Sequence, residues 1–152
     1  MSADLNHIVE VVETIMAAEM PSGTYTVDGK TVLWRNLDDG ENDSQPRLTT
    51  TQVLIEFEYV DAENRRGEYG SPGCNRWEEN SAFMVHVHAP RGKGDMTLAK
   101  KVMSAVINTL CGRQVGSVQI RDALAAYYDG QGSGLTRGVS RAIKYQYEYR
   151  GR

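Results

Sequence analysis

This chain has little cysteine, no long apolar run and no excess of positive charge, and each lack disfavours a class of protein. The two cysteines, Cys74 and Cys111, stand 37 residues apart with no CxxC pair. That argues against a disulfide framework and leaves two free thiols in a reducing compartment as the expectation. No stretch approaches the roughly 20 apolar residues that cross a bilayer. The opening Met1-Ser2-Ala3-Asp4-Leu5 lacks the basic and apolar blocks of a signal peptide. Positive charge is not in excess, since 17 Lys and Arg face 20 Asp and Glu for a net charge of -3. A general phosphate-neutralising surface is therefore disfavoured. What remains is a single cytoplasmic domain over 1–152, long enough to bury a core without metals or disulfides.

Hydrophobic spacing organises the rest. Leu5, Ile8, Val9, Val12, Ile15 and Met16 recur at three- and four-residue intervals, predicting a helix with Ser2 as N-cap, Asp4 in its first turn and Pro21 as its stop. Thr31 to Arg35 reads as a short extended piece. The acidic run from Asn36 to Pro46 follows, with Asp38, Asp39, Glu41 and Asp43, and reads as solvated connector. Val53, Ile55, Phe57 and Tyr59 then alternate with polar residues, predicting a strand with Glu56 and Glu58 on its wet side. Residues 61–80 read as a long loop holding Gly67, Gly70, Pro72, Gly73, Arg65, Arg66 and Arg76, a length uncommon in a compact domain and often functional.

A second strand is expected over Ala82–Ala89, with Phe83, Val85 and Val87 inward and His86 and His88 outward. The turn Pro90 to Asp95 feeds a second helix with Asp95 as N-cap, the stripe Met96, Ala99, Val102, Met103, Val106, Ile107 and Leu110, and Gly112 as terminator. Gly116 to Ile120 and Ala123 to Tyr128 read as β-like. In a closing strand Ile143, Tyr145, Tyr147 and Tyr149 alternate with Lys144, Gln146, Glu148 and Arg150. The fold class expected is α+β, two amphipathic helices packed on one face of a mostly antiparallel mixed sheet.

The inventory of reactive groups is short. His86 and His88, at i and i+2, share a strand face and can both reach a metal, but a third ligand has no argued position; His7 sits on the first helix. Two polar residues on a wet face account for them more simply. Arg91-Gly92-Lys93-Gly94 opens a helix as an anion cradle does, yet it lacks the GxxxxGK[ST] spacing, and turn chemistry explains its glycines. Cys74 has Arg76 near it but no placed base, and Cys111 ends an apolar helix face. The expectation is no catalytic set, no metal and no cofactor.

The ordered elements resemble the tail terminator, or tail completion, proteins of long-tailed phages and phage-like particles. The resemblance spans most of the chain: the amphipathic first helix, Leu33-Trp34-Arg35-Asn36-Leu37, the strand Val53–Val60 and the Gly- and Arg-rich loop. Its most characteristic part runs from Phe83 through Pro90-Arg91-Gly92-Lys93-Gly94 into a helix with Ala99, with Ile143 to Tyr149 closing it. The resemblance implies a structural virion protein, not an enzyme. It implies a hexameric ring that caps the tail tube, stops its growth and offers the surface that joins the head. Implied partners are further copies of the chain, the tail tube protein and a head-completion or neck protein, with DNA only passing through the lumen and no membrane. Implied location is the head-proximal end of the tail, after assembly in the host cytoplasm.

Arg65, Arg66, Tyr69, Arg76, Trp77, Tyr145, Tyr147 and Tyr149 are candidates for the subunit or partner interface, because aromatics and arginines dominate such contacts. Packing inside the subunit is the plainer account of the tyrosines, and solvated loop positions that of the arginines. Two other functions fit the same residues: a head-tail adaptor in the neck, and a small metalloenzyme using His86 and His88.

Overall fold

The computed structural model describes residues 5–37, 48–59, 65–69, 76–129 and 136–150. Helix α1 spans Leu5–Glu19; of its spaced apolar residues Ile8, Val12, Ile15 and Met16 are buried and Val9 is half-buried. The expected cap Ser2 and the acidic Asp4 lie outside the described residues. Strand β1 (Thr26–Val27) pairs antiparallel with β2 (Lys30–Asn36). The turn between them is Asp28-Gly29, both at positive φ, the two-residue geometry that matches strand twist. This hairpin was not expected from the sequence.

Strand β3 (Gln52–Tyr59) lies parallel to β2, with Trp34 opposite Ile55. Parallel neighbours need a long crossover, and the acidic run after Asn36 belongs to that connection. Strand β4 (Arg65–Tyr69) and the 15-residue β5 (Arg76–Pro90) follow. The long loop expected at 61–80 is thus corrected at its two ends: Arg65 to Tyr69 pair with Asn80 to Arg76. Glycine and arginine gave this stretch the composition of a loop, but β5 supplies the backbone partners that make it a strand. Helix α2 covers Asp95–Leu110. Strands β6 (Gln114–Val115), β7 (Val118–Ala123), β8 (Tyr127–Asp129) and β9 (Thr136–Arg150) complete the chain.

The strands form one mixed sheet whose path is β1-β2-β3-β5-β9-β7-β6, with β4 added beside β5 and β8 beside β9. Among the described residues every pairing except β2–β3 is antiparallel. The spine is β5 against β9, matched over their full length from Arg76–Arg150 to Pro90–Thr136.

Alternation gives that spine one apolar face. Phe57, Phe83, Val85, Val87, Val139 and Ile143 are at most 1% exposed and join the buried residues of both helices in a single core. An aromatic line crosses it: Trp34 edge-on to Phe57, then Phe83, which also meets Tyr59 and Tyr145. Burying each large side chain contributes about 1.5–3 kcal/mol.

Polar contacts fasten α1 to this frame. The Trp34 indole N–H donates to the Met20 carbonyl at 2.8 Å, serving an acceptor just past the helix end. Asn36 donates to Glu13 and accepts from the Tyr59 hydroxyl at 3.3 Å, so one amide links α1, β2 and β3.

Candidate functional site

The second face of β3, β5 and β9 carries the most organised polar cluster among the described residues. Glu56, Glu58, His86, His88 and Ser140 all fall on the parity opposite the core residues Phe57, Val85, Val87 and Val139. Glu56 was expected on a wet side, but it is 5% exposed. Arg35 on β2 covers it, with Nε at 2.8 Å and Nη2 at 2.7 Å from Glu56 Oε2. On the other flank His88 Nε2 stands 2.6 Å from Glu56 Oε1, without the geometry of a hydrogen bond. Burial pushes the Glu56 carboxyl up, but His88 and Arg35 outweigh it and hold the group below its ordinary range.

Beside this lies a second chain of contacts. His86 Nδ1 is 2.6 Å from Ser140 Oγ, and its Nε2 is 2.8 Å from Glu58 Oε2. Serine, imidazole and carboxylate in a row invite comparison with a hydrolytic triad. A triad also needs backbone N–H groups aimed at a developing oxyanion. Ser140 instead lies mid-strand, paired with His86 of β5 on one side and Tyr127 of β8 on the other. In that setting the chain of contacts orients the imidazole and ties three strands together.

The two histidines considered as metal ligands thus face different partners, His86 toward Ser140 and Glu58, His88 toward Glu56. Among the described residues no three His, Cys, Asp or Glu side chains converge on one point. The side chain of His7 lies outside the described residues.

At the start of α2 the expected cap is corrected by one residue. Gly94, at φ 80°, is the N-cap, and Asp95 is the first helical residue. The Asp95 carboxylate accepts the N–H groups of Met96 at 2.7 Å and Gly92 at 3.3 Å. The place where the Arg91–Gly94 turn would receive an anion is therefore served by the chain's own carboxylate. Cys111 is half-buried, and burial pushes its thiol up, away from nucleophilic reactivity. Cys74 lies outside the described residues.

Backbone register gathers most of the interface candidates at one end of the sheet. Tyr69 stands opposite Arg76, Trp77 opposite both Glu68 and Tyr149, and Arg65 and Arg66 opposite Asn80 and Glu79. Tyr147 faces Glu79 and packs in part against the core. Tyr145 is set apart from this group: it is 7% exposed and its ring lies against Phe83, so the core already takes most of its surface.

No family model and no curated protein matches the chain. Arg35 and Ser140 are the members of the polar cluster that sequence reasoning did not single out. Arg35 lay in an expected extended piece and Ser140 lies ahead of the alternation that begins at Ile143, and only strand order and register bring them to Glu56 and His86.

Proposed function

We propose that this protein is a tail terminator: a structural subunit that closes into a ring on the tail tube, ends tube growth and presents the head-joining surface. In this reading α1 and α2 both cover the face bearing Phe57 and Phe83, and the remaining surface serves contacts with sister copies and particle neighbours.

The observation that carries the reading is the open sheet with strands left unpaired on opposite sides. Among the described residues β4 pairs only with β5, and β8 only with β9. Different surfaces on two sides of a subunit are what a head-to-tail contact needs, and such contacts close into rings when the rotation allows. The end of the sheet built from β4, β5 and β9 holds Arg65, Arg66, Tyr69, Arg76, Trp77 and Tyr149, residue types suited to interfaces. The element order supports the same reading through its resemblance to the family.

Tube polymerisation tests it. Added to polymerising tail tube protein, the chain is expected to yield capped tubes that stop elongating, with the ring at one end in electron micrographs. Tubes that grow unaltered, with the chain bound instead to a neck component, would favour the head-tail adaptor reading.

A further inference from the structure

A groove of about 470 Å³ is lined from β5, β9 and the end of β7, by Ala82, Leu124, Arg121 and Lys144 among others. Arg121 owes its place to a register shift between Ile120 and Ala123, where β7 inserts an extra residue against β9. Such bulges re-aim side chains out of the regular ladder. Both cations are exposed, and neither forms an ion pair among the described residues. Leu124 is 45% exposed beside them. Two cations without an ion-pair partner among the described residues thus stand beside an exposed leucine. This setting suits a short acidic protein segment.

The densest run of carboxylates in this sequence is its own: Asp38, Asp39, Glu41 and Asp43. That run lies in sequence between β2 and β3, whereas the groove is lined from β5, β9 and β7. A contact between two different segments of like copies is heterologous. We infer that the Arg121–Lys144 groove receives the 38–43 acidic segment of a neighbouring copy, an inference that rests on the ring reading above. Two cations offer a nucleic-acid backbone few phosphate contacts, which favours the protein segment.

Charge reversal in the full-length chain tests this by native mass spectrometry and sedimentation, with far-UV circular dichroism confirming the fold. Arg121→Glu with Lys144→Glu is expected to weaken self-association about tenfold or more, as close interfacial charge pairs do. Adding Asp38→Lys and Asp39→Lys to the same chain is expected to restore it. If the double reversal disturbs folding, Arg121→Gln with Lys144→Gln is read in its place. A ring that forms equally well with the groove reversed overturns the inference and leaves the ring reading standing. Weakening without restoration overturns it too, since the occupant is then another segment. Binding of a labelled single-stranded oligonucleotide that the groove reversal abolishes assigns the groove to nucleic acid instead. No assembly of the native chain, alone or with tube protein, overturns both.

Discussion

Glu56 stands directly across the ladder from His86, yet its carboxylate reaches diagonally to His88, at 2.6 Å. Glu58 leans the same way, past its own partner Met84 to His86. These two diagonals, with Arg35 at one end and Ser140 at the other, run across β2, β3, β5 and β9 on the face away from the apolar core. A shift of β3 by one residue would turn Glu56 and Glu58 to the opposite face, away from Arg35, His86 and His88. The cluster therefore adds a polar constraint on register to the one the buried apolar face supplies.

Replacing Glu56 isolates this effect. Glu56→Gln keeps the shape but removes the charge that Arg35 and His88 meet, and should lower unfolding stability by about 1.5–3 kcal/mol, the range for hydrogen bonds to charged groups. Urea unfolding of the two proteins measures it. An unchanged midpoint would mean that the cluster contributes nothing net.

The same group sets an acid limb. Arg35 and His88 hold the folded carboxyl below the 4.5 at which it ordinarily titrates. Below that value the unfolded chain binds the proton first, so protonation favours unfolding. The stability contributed by Glu56 is complete above pH 4.5 and is lost as pH falls toward the folded value. Thermal melts across this range should show a steeper acid decline for the native chain than for Glu56→Gln.

Trp34 tests how α1 is fastened. Trp34→Phe retains an aromatic ring against Phe57 but deletes the donor to the Met20 carbonyl. A loss of about 1–3 kcal/mol is expected, from the lost bond, the unpaired acceptor and the smaller ring. Hydrogen exchange should speed up most at the C-terminal end of α1.

Phe83 is the centre of the aromatic line, fully buried and in ring contact with Phe57, Tyr59 and Tyr145. Phe83→Ala should cost about 3–5 kcal/mol. Guanidinium unfolding with an unchanged slope and a lower midpoint would report it.

Much of this fold was legible because burial has a period. Of the helical stripe, Ile8, Val12, Ile15 and Met16 are buried and Val9 is half-buried, and of the strand alternation Val53, Ile55, Phe57 and Tyr59 are all buried. The β1–β2 hairpin carried a sequence signal as well, since Asp28-Gly29 is a preferred two-residue turn. Strand order carried none. That β2 runs parallel to β3, and that β5 joins β3 on one side and β9 on the other, is set by tertiary packing. For the same reason the polar cluster was half-visible: His86 and His88 stood out as residue types, while the positions of Arg35, Glu56 and Ser140 relative to them depend on register. Strand β4 stayed hidden because it has no apolar alternation, and only β5 gives it a partner.

Native mass spectrometry of the purified full-length chain, with and without its tail tube protein, tests the central claim most directly. The ring reading predicts one closed oligomer of defined copy number, six by the family resemblance, formed alone or on the tube. A single 16.9 kDa species under both conditions would contradict it.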